Sequence, residues 1–178
     1  MSTKFLGHYL HPMLVVFPLG LFITSLAFDL ICLASGNPQF GMAAYWMIVA
    51  GIIGAVAAAP FGTIDWAGIP SGTRAKRVGL MHGLAGGVML ALFVICWLLR
   101  GMAPAQPTAL SIALSIAGVT SATIGGWLGG ELVERLGIGV HRDAHSDAPS
   151  SLSGRDARQS ASAGPQRDRF FGGPKPAH

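Results

Sequence analysis

Three residues combine ligand chemistry with positions at the ends of long apolar runs: His11, Asp65 and His82. His11 precedes the first run, Asp65 follows the second, and His82 lies early in the third. Two imidazoles on facing helices can ligate the iron of a b-type haem, and the same pair with a carboxylate makes a metal site or a site that handles protons. The alternative is structural, with His11 capping a helix and His82 hydrogen-bonded to a backbone carbonyl. The sequence leaves both interpretations open.

The segments that would hold these residues are long, apolar and rich in glycine. Hydrophobic residues make up 51% of the 178 residues and charged residues only 11%, whereas about 25% of the residues of a soluble domain are charged. A run of about 20 apolar residues, each adding about 1.5 Å to a helix, crosses the hydrocarbon of a bilayer. We therefore predict an all-α integral membrane protein, a four-helix bundle with helices at about residues 12–34, 41–60, 78–99 and 108–130.

Small residues mark the helix faces that are expected to pack. In the fourth helix they recur with alternating spacings of four and three and so share one seam, which consists of Ser111, Ser115, Gly118, Ala122, Gly125 and Gly129. Trp127 falls on the opposite face. In the third helix His82 shares an arc with Gly79, Gly83 and Gly86, so we expect His82 to face the bundle, with glycines leaving room for a macrocycle.

Asp29 interrupts the far end of the first apolar run, where an unpaired charge in lipid is costly. We expect its carboxyl group to be neutral or bonded to Ser25 one turn earlier, with a proton or cation site as the alternative. Cys32 and Cys96 lie near the same side of the membrane, and two small buried thiols are favoured over a disulfide.

The distribution of Lys and Arg predicts the orientation. Four spans put the N-terminus, the 66–77 loop and the C-terminus on one side, which carries all of these residues except Arg100. The positive-inside rule then places both termini in the cytoplasm. His11, Asp65 and His82 lie toward the cytoplasmic face in this arrangement, and Asp29 lies toward the outer face.

The composition changes near residue 142. Residues 1–141 form the predicted transmembrane domain. Residues 142–178 are rich in Ser, Arg, Asp, Ala, Gly and Pro and contain few large apolar side chains. Such a segment cannot bury enough surface to offset chain entropy, so we predict a disordered cytoplasmic tail.

Several function classes are disfavoured by the same sequence. The formal charge of +4 is small and confined to loops, which does not indicate nucleic-acid binding. The sequence contains no Walker loop, nucleophile elbow, Cys-x-x-Cys pair or His-Glu-x-x-His helix, so we do not expect a soluble-type enzyme. The residue pattern also shows no convincing internal repeat of the kind that many transporters carry.

A series of short motifs resembles the bacterial predicted membrane protein family known as domain of unknown function 2231. The motifs are, in order, His11-Pro12, Phe17–Gly20, Asp29, Gly62–Asp65, His82, Gly129–Val133 and Gly137–Val140. The resemblance covers roughly residues 8–141. It implies four transmembrane helices, no established activity, and relatives that are sometimes joined to, or neighbours of, redox domains such as Rieske or cytochrome modules.

Two functions from different classes follow as expectations. The first is a redox-associated module that binds haem or a metal between the first and third helices, through His11 and His82 and, for a metal, Asp65. The second is a structural or accessory subunit without a cofactor, whose small-residue faces dock partner helices. Besides lipid, the possible partners are redox membrane proteins or further copies of the chain.

Overall fold

The computed structural model describes residues 4–6, 8–141, 143–155 and 158. Four long helices dominate it, and a pair of two-residue antiparallel strands precedes them. The elements are β1 (Lys4–Phe5), β2 (His8–Tyr9), α1 (Leu10–Ser35), α2 (Pro38–Ala67), α3 (Arg74–Arg100) and α4 (Ala109–Gly130), and one π-helical turn (Glu131–Arg135) continues α4. All four helices are long and apolar enough to span a membrane, which confirms the predicted all-α membrane architecture.

The described residues form two compact units that divide after Gly139. The first contains the four helices. In the second, Arg158 Nε lies 3.0 Å from the carboxylate of Asp143, and most described residues are exposed. The disorder predicted for residues 142–178 stays a prediction, because Arg142, 156–157 and 159–178 lie outside the described residues.

Helix α2 is longer than predicted because Pro60 does not end it. The helix continues for seven residues past Pro60 to Ala67. The ring of Pro60 is exposed on the outer side of the helix, and Thr63 Oγ1 donates to the Ala59 carbonyl at 2.9 Å. Apolar residues follow the proline, and a helix surrounded by lipid must keep its backbone bonded, so the helix persists where it would break in water.

Helix α3 begins four residues before its predicted start. Thr73 caps it by accepting from Lys76 N at 3.1 Å, and the basic residues assigned to a loop form the first turn. The same basic turn is held by Trp66 on α2, whose Nε1 donates to the Lys76 carbonyl at 3.1 Å. Lys76 Nζ donates back to the Trp66 carbonyl at 2.7 Å. His82 therefore lies about two turns inside the helix rather than one.

The core lies where the helices meet at mid-length. It consists of Phe22, Ile48, Met89, Phe93, Cys96 and Ala122. The rings of Phe22 on α1 and Phe93 on α3 stack with centroids 3.9 Å apart and planes 9° from parallel. The predicted seam of α4 is confirmed, since its residues from Ser111 to Gly125 are buried whereas Trp127 is 70% exposed.

Candidate functional site

His11 and His82 meet at the centre of the bundle, at the end where α1 and α3 begin. We call this the histidine end. The centroids of the two imidazole rings lie 6.0 Å apart, and the ring planes are 88° to one another. Both side chains are half-buried. The structure thus brings together the two residues that the sequence selects as candidate ligands.

Each imidazole is fixed by one hydrogen bond to a neighbouring helix. His11 Nδ1 lies 3.1 Å from the Ala58 carbonyl oxygen on α2, and His82 Nδ1 lies 2.8 Å from the Gly125 carbonyl oxygen on α4. A carbonyl oxygen can only accept, so in each ring Nδ1 carries the proton and the neutral ring keeps a lone pair on Nε2. Metal-ligating histidines are commonly oriented in this way by a carbonyl bonded to the other ring nitrogen.

The rings fit because the helices beside them carry glycine. A Cβ atom at Gly62 would lie 2.8 Å from Nδ1 and Cε1 of His11, and one at Gly129 would lie 3.3 Å from Cε1 of His82. The glycines that the sequence selected around His82 behave differently. Gly79 makes room for Trp66, and a Cβ at Gly83 or Gly86 would meet nothing within 4 Å. The close packing of His82 therefore comes from Gly129 on α4 rather than from the glycines of α3.

Asp65 does not complete a three-ligand cluster with the two histidines. In the described part of the chain, no three His, Cys, Asp or Glu side chains are placed to hold a metal ion together. Asp65 is half-buried near the end of α2 and has an interaction of its own. The role of Asp65 as a metal ligand stays a prediction.

A buried ion pair occupies the other end of the bundle, which we call the ion-pair end. Arg100 Nη1 donates to both carboxylate oxygens of Asp29, at 2.8 and 2.7 Å. Arg100 Nη2 donates to the carbonyls of Gly41 and Pro104, each at 2.8 Å. Asp29 is 0% and Arg100 2% exposed. The guanidinium of Arg100 thus connects the end of α3 by hydrogen bonds to α1, to the start of α2 and to the loop before α4.

This ion pair corrects two sequence interpretations. Ser25 Oγ donates to the Phe22 carbonyl at 2.8 Å and not to Asp29, and Arg100 is the last residue of α3 rather than a loop residue. The signal was present in the sequence: two opposite charges end the first and third apolar runs on the side that has almost no other charge. Because an unpaired charge in lipid is costly, their pairing was the arrangement to expect.

The remaining polar candidates have structural partners. Cys32 and Cys96 are buried free thiols, as predicted, and Cys96 Sγ lies 3.4 Å from the Ser111 carbonyl oxygen. Glu131, in the π-helical turn, accepts from Arg74 Nη2 at 2.6 Å and so joins the end of α4 to the start of α3. Arg74 is 57% exposed, which makes this pair a surface contact rather than a core one.

The architecture agrees with a comparison to known families. The model of a family described as predicted membrane protein (DUF2231) matches residues 7–142. The chain belongs to this family. The match covers all four helices and both histidines of the site, as the motifs in the sequence indicated. No curated protein and no solved structure matches the chain.

Proposed function

We propose that this DUF2231 protein is a multi-pass protein of a bacterial inner membrane that binds a b-type haem through Nε2 of His11 and Nε2 of His82. The observation that carries the proposal is the pair of Nδ1–carbonyl hydrogen bonds, to Ala58 and to Gly125. These bonds fix both tautomers and leave one ligating nitrogen on each ring.

The spacing of the rings supports a shared metal centre. Two imidazoles that ligate one ion from opposite sides, each with a metal–nitrogen distance of about 2 Å, have ring centres roughly 6 Å apart. The centroids of His11 and His82 are 6.0 Å apart. Helices on opposite sides of a bundle core are a common source of such paired ligands.

The number of protein ligands favours haem over a bare ion. Two side-chain ligands leave most of the coordination sphere of a transition metal to other donors, and a porphyrin supplies four nitrogens of its own. A Cβ at Gly83 or Gly86 would meet nothing within 4 Å, so these positions of α3 would not crowd a macrocycle. When bound, the haem would supply one-electron chemistry. The protein would hold the haem through the Nε2 atoms of His11 and His82.

The test is the visible spectrum of protein purified after growth with a haem supply. We expect a Soret band that shifts on reduction with dithionite and that is strongly weakened or lost in both His82→Ala and His11→Ala. His141→Ala is the matched control, because that histidine is exposed and lies outside the four helices. A colourless wild type with a near-stoichiometric ion that His82→Ala removes would replace haem by a metal.

One specific observation favours an accessory subunit as the second candidate. The charges of Asp29 and Arg100, and Nδ1 of both histidines, are satisfied within the chain itself. A colourless and metal-free protein, with a normally folded His82→Ala variant, would establish this reading. The bundle would then serve to dock helices of a partner or of further copies of the chain.

The orientation is a separate part of the proposal and rests on the one-sided distribution of Lys and Arg. Reporter fusions after Arg77 and after residue 140 are expected to read cytoplasmic. A fusion within the loop at residues 101–107 is expected to read periplasmic. The reverse pattern would move the histidine end to the outer face of the membrane.

A further inference from the structure

Three contacts along the centre of the bundle join residues with one common offset. His11 meets His82, Phe22 stacks on Phe93, and Asp29 pairs with Arg100, and the residues of each pair are 71 positions apart. The first and last of these contacts lie near the two ends of α1 and α3, and the middle one lies in the core. Helices α1 and α3 therefore face each other in one constant register over most of their length.

Helices α2 and α4 also have equivalent residues at a constant distance along the sequence, but with a different offset. Ala58 accepts from His11 and Gly125 accepts from His82, and these acceptors are 67 positions apart. Gly62 and Gly129, which touch the same two rings, have that offset too. Gly51 lies against Phe22 and Gly118 lies against Phe93, again with an offset of 67. Each contact that the α1–α2 hairpin makes at these positions is thus repeated in the α3–α4 hairpin.

These relations describe a pseudo-twofold axis. A residue touches its own equivalent only where a twofold axis passes between the two, as at the centre of an isologous dimer interface. One helix, α2, separates α1 from α3, so both run in the same direction and the axis lies parallel to them. The two offsets differ by four residues, about one helical turn, and this difference falls in the tip that joins the helices of each hairpin.

The residue pattern shows no convincing internal repeat, but these contacts reveal one. Only a few equivalent positions of α1 and α3 are identical, namely His11 and His82, Leu19 and Leu90, Leu21 and Leu92, and Phe22 and Phe93. At most other equivalent positions one apolar residue replaces another, Asp29 and Arg100 being an exception, and the change of offset between the two helix pairs breaks a simple alignment. The repeat becomes visible only through contacts.

We propose that the histidine site is symmetric about this axis, with His11 and His82 as equivalent axial ligands of one centre that lies on it. This inference rests on the proposed function and adds that the two histidines are equivalent in holding the metal centre. An asymmetric organic substrate would not match the site. Ala58 and Gly125 are the positioning residues, since their carbonyls set the two rings in equivalent places.

The test compares the two single histidine variants in full-length protein. The symmetric site predicts that His11→Ala and His82→Ala weaken haem retention by the same factor, within about twofold, and that the haem each variant still retains gives a five-coordinate spectrum. Added imidazole is expected to restore the six-coordinate spectrum in both. Complete loss of haem in one variant with retention in the other would overturn the symmetry while leaving the proposed function in place.

A second measurement keeps the symmetry testable without any ligand. Nitrogen-15 spectra of histidine-labelled protein in detergent are expected to show the same Nδ1–H tautomer for His11 and His82. Different tautomers would overturn the equivalence whether or not haem binds. A wild type that retains neither haem nor metal would overturn the proposed function, and the symmetric ligand site with it.

Discussion

The two ends of the bundle place equivalent positions of α1 and α3 in contact but use them in opposite ways. At the histidine end the two side chains are alike, half-buried, and each has one ring nitrogen bonded to a carbonyl. At the ion-pair end the two side chains carry opposite charges and are almost completely buried; Arg100 donates to Asp29 through Nη1 and to the Gly41 carbonyl through Nη2. The ion pair therefore holds the helices together at one end. At the other end the two histidines each keep a ring nitrogen that can bind a ligand.

The two ends differ in how much stability is lost when one member of the central pair is removed. An ion pair in a poorly solvated site cannot lose one member without leaving a buried charge, so it constrains the fold strongly. A pair of neutral imidazoles can lose one member with only the loss of a hydrogen bond and some packing. The ion-pair end should therefore govern stability, and the histidine end should govern binding.

The largest effect on stability is expected from Arg100→Ala. The variant leaves the carboxylate of Asp29 buried and without its cation, which costs about 3–5 kcal/mol in proteins. We expect this loss in the free energy of unfolding, measured by denaturant titration in detergent. Arg74→Ala is the control, because it removes an arginine from an exposed pair. Equal losses in the two variants would remove the distinction between the two ends.

Gly118→Leu is expected to have the next largest effect, because it acts between the two ends. A Cβ atom alone at this position would lie 2.7 Å from the ring of Phe93, and overpacking of a core typically costs about 1–3 kcal/mol. Gly51→Leu, the equivalent change beside Phe22, is expected to destabilise to a similar degree. Trp127→Leu, on the exposed face, is the control. If Gly118→Leu were as thermally stable as the wild type, the close contact between Gly118 and Phe93 would be contradicted.

The histidine variants are expected to change stability less than Arg100→Ala does. His82→Ala removes one part-buried hydrogen bond, to the Gly125 carbonyl, which contributes about 1 kcal/mol. Its haem content, in contrast, is expected to fall strongly. A loss of stability as large as that of Arg100→Ala would show that the histidine end also closes the bundle.

The smallest effect is expected from Glu131→Gln, which removes the charge that faces Arg74. Exposed ion pairs contribute about 0–1 kcal/mol and are weakened by salt. Unfolding in detergent at low and at high salt measures this contribution, and the difference between wild type and variant should shrink as salt rises. A large difference that is independent of salt would assign Glu131 a buried role.

Much of the fold could be predicted from the sequence because hydrophobicity and helical period are local properties. The four helices and the seam of α4 are examples. The helix ends were less predictable, since charged residues and Pro60 were interpreted as breaks, whereas Lys76 and Arg77 form a first turn and Pro60 lies inside α2. Charge and proline mark the end of a helix reliably only where water is present.

The site could be predicted only in part because contact between helices is not a local property. His11 and His82 were selected by their residue type and depth. The acceptors of their Nδ1 protons, Ala58 and Gly125, have side chains that carry no chemical signal. Arg100 was assigned to a loop, so its role as the partner of Asp29 was missed. In each case the missing information was which helix lies opposite.

The stacked phenylalanines also have a consequence for the permeability of the membrane. Phe22 and Phe93 are both 0% exposed and lie on the line between the histidine end and the ion-pair end. A file of water molecules needs polar partners at each step, and this aromatic layer offers none. We therefore expect no continuous aqueous path for protons between Phe22 and Phe93, and vesicles that contain the protein should hold a pH gradient as well as protein-free vesicles do. A membrane could carry many copies of this chain without an increase in its ionic leak.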